Sequence, residues 1–248
     1  FKGEAGRKEA KLLSTLKHRN IINIFGAGGD LKSTVIIAEY AQGGSLADRM
    51  VRRYDWEKAF QIILQVAAGV DFAHKNNIVH GNLRPSNVLF DAHDVVKLTD
   101  FALPIHYDGP KQKNWYSPPE HKESKQGDIY GMGVILHQLL TGRNPQYDAG
   151  DNLVLEDVRM HLPEDICTML SRLLARRVTR RYATCQEFLA DWEEFERRRE
   201  AAEQRRSMAG QALPPQPVQP PMWLYGTIGV GIVVGIFLAL YIAGVFGG

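Results

Sequence analysis

The most constraining part of this chain is a pair of short apolar runs with polar residues at their ends. His80-Gly81-Asn82-Leu83-Arg84-Pro85-Ser86-Asn87 leads into Val88-Leu89-Phe90, and Val95-Val96-Lys97-Leu98 leads into Thr99-Asp100-Phe101-Ala102. Such runs predict two adjacent strands, Val88–Phe90 and 95–98. Asn87 and Asp100 then stand at the ends of neighbouring strands and can converge on one oxygen-loving cation. Mg²⁺ suits such a site, because it takes few protein ligands and completes its octahedron with water and phosphate oxygens. Phosphoryl transfer needs mostly positioning and charge neutralisation, and Arg84 supplies a phosphate-facing charge. What is missing is a carboxylate to take a proton from a hydroxyl nucleophile. Asn82 stands nearby, but an amide has no basic oxygen at neutral pH. Losing a positioned base costs about 10²–10⁴ in rate. The plainer reading is a hairpin whose Asn and Asp serve only its turns.

Together the two stretches resemble the catalytic loop and metal-binding turn of protein kinases, H-R-D…K-P…N followed by D-F-G. In that register Asn82 replaces the base Asp, Gly81 the preceding Arg, Arg84 the Lys, and Ala102 the final Gly. The resemblance implies Asn82 and Arg84 at the catalytic positions, Asn87 and Asp100 as metal ligands, and ATP with Mg²⁺ as cofactors. It assigns His80 to a buried spine with Leu13, Ile24 and Phe101, a packing role rather than acid–base work.

Other motifs follow in kinase order. A helix is predicted over 6–16, and Glu9 matches the αC Glu that pairs with a strand Lys in that family. A solvated helix charge would be the plainer reading of Glu9 alone. His18-Arg19-Asn20-Ile21 resembles the segment after αC. Strands are predicted over 22–27 and 34–39. Glu39-Tyr40-Ala41-Gln42-Gly43-Gly44 resembles the hinge, which implies Glu39, Ala41 and Leu89 around an adenine ring, behind a small Ala38 gatekeeper. Apolar residues Ala59, Phe60, Ile63, Val66, Ala67, Val70 and Ala73 mark a helix over Trp56–Lys75 with Asp55 as N-cap. Tyr116-Ser117-Pro118-Pro119-Glu120 resembles the close of the activation segment, and Glu120 is expected to pair with a buried Arg181. Lys113 stands where Ser/Thr kinases carry a Thr. Asp128, at the head of an apolar helix stopped by Gly142, is expected to hold the catalytic loop from below. Helices are predicted over 164–176 and from Cys185 to about Arg206, the latter losing its apolar face beyond Phe195.

The resemblance implies an α+β, protein-kinase-like fold. It places a partial small lobe over 1–41, a mostly helical lobe over 42–196, a charged extension and Pro-rich linker over 197–221, and a transmembrane helix over 222–247. The Gly-rich loop and its Lys fall before residue 1 in this register, so truncation at the N-terminus is expected. A net charge of +2 gives no footprint for nucleic acid. Cys167 and Cys185 have no metal spacing and read as buried thiols. Pro214-Pro215-Gln216-Pro217-Val218-Gln219-Pro220-Pro221 predicts a semi-rigid spacer. No Asp, Glu, Lys or Arg follows Arg206, and residues 223–246 are mostly apolar. As a helix they would span about 36 Å at ~1.5 Å per residue, against a hydrocarbon core of about 30 Å. The arginines before the span put the kinase-like part on the cytoplasmic side of a cell membrane. The kinase type resembled is the bacterial membrane-anchored Ser/Thr kind. Three functions stay open: a pseudokinase that regulates a protein partner, a weakly active Ser/Thr kinase, and a lobe that only holds a dimer together.

Thr227, Gly231, Gly235, Ala239 and Ala243 recur every four residues, a small-residue stripe that lets two membrane helices approach closely. A homodimer through this stripe is expected. In a membrane two-hybrid assay on 223–246, Gly235→Ile should lower association well below wild type, and Ile236→Leu should not. Equal signals would make the segment a plain anchor.

Overall fold

The computed structural model describes residues 10–11, 14–29, 34–101, 115–121, 123–155, 159 and 161–210. The chain divides into two compact units, Phe1–Arg198 and Arg199–Gly248, the second described only over the helical residues 199–210.

The first unit opens with helical residues at 10–11 and 14–15, and Ala10 and Leu16 are buried. Strands β1 (Ile24–Gly29) and β2 (Thr34–Ala38) pair antiparallel, with a register irregularity between Ile24 and Gly26. The first strand begins later than its apolar run predicts. Ile21 bridges to Leu98, and the Ile22 N–H donates to the Leu98 carbonyl at 2.9 Å. Those two residues belong to the second sheet, where β3 (Val88–Phe90) and β4 (Val96–Leu98) pair antiparallel. Asn20 secures this crossover. Its side-chain amide donates to the Val96 carbonyl at 3.0 Å and to Gln65 Oε1 at 3.3 Å.

Helix α1 (Leu46–Arg49) is short and held by a capping box. Ser45 Oγ accepts from the Asp48 N–H at 3.3 Å, and Asp48 Oδ2 accepts from the Ser45 N–H at 3.0 Å. Helix α2 (Trp56–Lys75) has the predicted bounds and buries the predicted face. Asp55 occupies its N-cap in extended conformation, but the carboxylate makes no cap hydrogen bond. Helix α3 (Lys125–Thr141) is buried nearly all round, which explains its lack of a polar face. Ser124 Oγ caps it by accepting from the Gly127 N–H at 3.0 Å. Gly142 ends it at φ 70, a left-handed position that costs glycine little.

Helix α4 (Glu164–Leu173) stops short of the predicted Arg176. The Ala175 carbonyl turns instead to Arg181, accepting from Nε at 3.1 Å and Nη2 at 3.0 Å. Helix α5 (Cys185–Gly210) runs slightly past the prediction. Trp192 from α5 stacks on Phe60 from α2 with centroids 4.5 Å apart. Arg197 and Arg198 both reach Glu194, at 2.8 and 3.7 Å, and Arg198 also reaches Asp165 at 2.9 Å. Both cysteines are free and buried, as expected. No described helix is long and apolar enough to cross a membrane, and the predicted span and its Pro-rich linker lie outside the described residues.

The predicted Glu120–Arg181 pair is formed. Arg181 donates from Nη1 to Glu120 Oε1 at 2.8 Å and from Nη2 to Oε2 at 3.3 Å, and also to the Gln126 carbonyl at 2.9 Å. Burial pushes the Glu120 carboxyl up, but the hydrogen bonds and the guanidinium charge outweigh it and hold it below its ordinary value. Removing one partner of a buried pair costs about 3–5 kcal/mol. Glu120 keeps a quarter of its side chain exposed, so Arg181→Ala should cost about 3 kcal/mol by urea unfolding. The sign with pH follows from the lowered carboxyl. Its contribution is complete above the ordinary value of 4.5 and is lost as pH falls through the folded value. Glu120→Gln should therefore flatten the stability profile in that acid window.

Candidate active site

The site is assembled on one buried carboxylate. Asp128, in the first turn of α3, accepts from the His80 N–H on Oδ2 and from the Gly81 N–H on Oδ1, each at 2.8 Å. His74 Nε2 lies 2.7 Å from Oδ2. The expectation that Asp128 holds the loop from below is met, and His74 is an added partner. Lys125 donates to the His74 carbonyl at 2.6 Å, tying the same helix end to α2. Gly81 sits at φ 69, in the left-handed region. A side chain there would meet only the Glu123 carboxylate at ordinary contact distance. The glycine therefore relieves backbone strain at this position, a physical reason for its presence that motif comparison alone did not supply.

His80 is fully buried and stacks on Phe101 with centroids 4.3 Å apart. Burial lowers its pKa, against the opposing charges of Asp128 and Asp100. Its Nδ1 accepts from the Asn82 N–H at 3.4 Å, and Nε2 has no hydrogen-bond partner among the described residues. A buried, neutral, stacked imidazole suits packing and not proton transfer. Ile24 is buried as well, whereas Leu13 lies outside the described residues.

Asn87 and Asp100 flank the paired strands β3 and β4. Asn87 is buried, and its Nδ2 donates to the Asn82 carbonyl at 2.8 Å, which fixes the loop's curvature. Its Oδ1 accepts from Ser86 Oγ at 3.1 Å and retains a second lone pair. The Thr99 N–H donates to the Asn87 carbonyl at 3.1 Å, bringing Asp100 next to it. Asp100 adopts φ 57, in the left-handed region. Amide and carboxylate oxygens are ligand types that Mg²⁺ accepts, with water and phosphate completing its shell. Arg84 lies partly buried on the same loop, its Nε without a hydrogen-bond partner among the described residues.

The predicted hinge docks on the β3–β4 hairpin. The Gly43 N–H donates to the Phe90 carbonyl at 2.8 Å, and the Phe90 N–H to the Gly44 carbonyl at 2.9 Å. Leu89 and Ala41 are half-buried, and Ala38 is exposed at the end of β2. The Glu39 N–H donates to the Asn23 carbonyl at 2.8 Å, and the Ala41 carbonyl accepts from the Gly44 N–H at 3.4 Å. The Glu39 carboxylate is engaged elsewhere. Lys97 Nζ pairs with Oε1 at 2.7 Å, and Asn23 donates its backbone and side-chain N–H groups to Oε2 at 3.2 and 3.0 Å. Burial raises the Glu39 pKa, but the Lys97 and Asn23 bonds outweigh it and leave it lowered. The Glu39 side chain thus clamps the predicted hinge to β4. Lys97 escaped the sequence reading, although a lone Lys inside an apolar strand signals a buried partner. Glu9, Ala102 and Lys113 lie outside the described residues.

The loop held by Asn87, the left-handed turn at Asp100 and the segment docked on the hairpin all adjoin the β3–β4 pair. Residues 2–203 match the protein kinase domain family. An Aurora kinase of Schizosaccharomyces pombe is 27% identical over 75% of this chain and 58% of its own length. The serine/threonine-protein kinase PrkC of Bacillus subtilis is 27% identical over 75% of this chain and 32% of its own. A probable serine/threonine-protein kinase of Clostridium perfringens is 24% identical over 77% of this chain and 32% of its own. The chain thus spans between a third and three-fifths of the length of these relatives. The family match covers most of the chain, and the chain belongs to the protein kinase domain family.

Proposed function

We propose that this chain is the kinase-like domain of a membrane-tethered signalling protein that binds ATP with Mg²⁺, transfers phosphate very slowly and regulates a protein partner. The observation that carries this reading is the Asn82–Asn87 contact of 2.8 Å. Asn87 ties the loop to the Asn82 backbone, and the residue at the base position is an amide. Bound ATP and Mg²⁺ would supply the transferable phosphoryl group and the charge that neutralises it. Asn87 Oδ1 and the Asp100 carboxylate would hold the metal, and the Glu39 carbonyl and Ala41 N–H would face the adenine over Leu89. Arg84 would face the phosphates. Asn82 can orient a substrate hydroxyl by accepting its hydrogen bond, but it cannot carry the proton away. The membrane tether rests on the apolar, uncharged segment 223–246.

The second reading is a weakly active Ser/Thr kinase, favoured by the retained Asn87 and Asp100 and by the cation Arg84. The two readings differ by a rate. In full-length protein, Asn82→Asp should raise autophosphorylation at least tenfold, since a positioned base contributes about 10²–10⁴. Wild-type turnover already at roughly 1–100 s⁻¹, the usual range for kinases, would overturn the pseudokinase reading.

A further inference from the structure

We propose that an acidic peptide segment of a protein partner docks beside the catalytic loop, in a depression lined by Arg52, Arg53, Arg84 and Arg143. The depression encloses about 750 Å³ and lies between the end of α1, the catalytic loop and the end of α3. None of its lining residues is acidic. Arg52, Arg53 and Arg84 form no ion pair with any described residue. This sets them apart from most arginines of the helical part. Arg49, Arg159, Arg172, Arg176, Arg181 and Arg198 all reach a carboxylate. Asp48, the nearest acid on α1, is committed to the Ser45 cap.

Several cations without a counter-ion repel one another, and the cost grows where water is partly excluded. Arg84 is half-buried, and its Nε has no hydrogen-bond partner among the described residues. Arg52 and Arg53 are exposed beside it, with Arg53 next to Gly142. A guanidinium binds a carboxylate through two parallel hydrogen bonds, so such arginines suit Asp and Glu side chains. The cations are spread across the trough, and Met50, Val51 and Pro85 interrupt them. That pattern fits an extended chain with alternating acidic and apolar residues better than a single compact anion. A general polyanion is disfavoured by the near-neutral balance of the whole chain, net +2. Arg84 and Ser86 belong to the loop that carries Asn82 and Asn87, so a docked segment would lie next to the phosphoacceptor position. The inference rests on the proposed function in reading this loop as facing a protein partner, and it adds the partner's chemical class.

The test is fluorescence anisotropy on the full-length protein, with a labelled peptide of alternating Glu and Leu and a matched peptide of alternating Gln and Leu. The acidic peptide should bind more tightly, and binding should weaken with added salt. Arg52→Glu/Arg53→Glu should weaken it by about tenfold or more, the equivalent of one lost charge pair, while Arg52→Lys/Arg53→Lys should keep most of the affinity. Equal binding of the two peptides, or an unchanged affinity in the charge-reversed variant, would overturn the proposal. So would a single-stranded RNA of similar charge that competes as well as the acidic peptide. Nucleotide affinity, measured on the same samples, separates the two proposals. If ATP binds and the acidic peptide does not, the docking surface fails and the proposed function stands. Should the charge-reversed variant melt early, the peptide and RNA comparisons on wild type decide alone.

Discussion

A buried carboxylate accepting from two backbone N–H groups and facing an imidazole nitrogen is the contact on which the rest of the site depends. Asp128 is nearly inaccessible, and burying an ionised carboxylate is costly unless its lone pairs are filled. His80, Gly81 and His74 fill them at 2.7–2.8 Å. Hydrogen bonds to a charged group contribute about 1.5–3 kcal/mol each. The loop therefore cannot leave α3 without stranding a charge in the core. That constraint positions His80 under Phe101, which in turn places Asp100 at its left-handed turn beside Asn87. The stacking of His80 on Phe101 and the left-handed turn at Asp100 both adjoin this one hydrogen-bonded group.

With that frame preserved, the departures from an ordinary kinase loop are local. Asn82 changes the proton chemistry and leaves the curvature alone, because Asn87 bonds to the Asn82 backbone and not to its side chain. Gly81 removes a cationic clamp and also relaxes a position at φ 69. Its N–H still reaches Asp128, so nothing in the loop's support is lost. In the function proposed above, the chain lacks the groups that move a proton or read a phosphorylated segment and keeps those that would shape a nucleotide site.

Much of this was legible in the sequence, for identifiable reasons. The bounds of α2 follow from a strong helical period, and the two strands of the hairpin follow from short apolar runs. The Glu120–Arg181 partnership spans 61 residues and was legible only through resemblance to a family. Contacts without a motif stayed hidden. His74 lies on the buried face of α2, and nothing local names Asp128 as its partner. Lys97 sits in an apolar strand, and its acid, Glu39, belongs to a separate segment. The Ser45–Asp48 capping box was readable as a Ser followed three residues on by an acid, and would have located α1. Asp55 shows the converse, an N-cap residue of the right type whose carboxylate bonds to nothing in its helix.

The account stands on a site built to hold nucleotide through a metal while lacking its base. Titration calorimetry of ATP into the full-length protein, with Mg²⁺ and with EDTA, tests this most directly. Binding should require Mg²⁺, should be weakened strongly by Asp100→Ala, and should be nearly unaffected by Asn82→Asp. ATP affinity that ignores both the metal and the Asp100 substitution would contradict the assignment of Asn87 and Asp100, and with it the central claim.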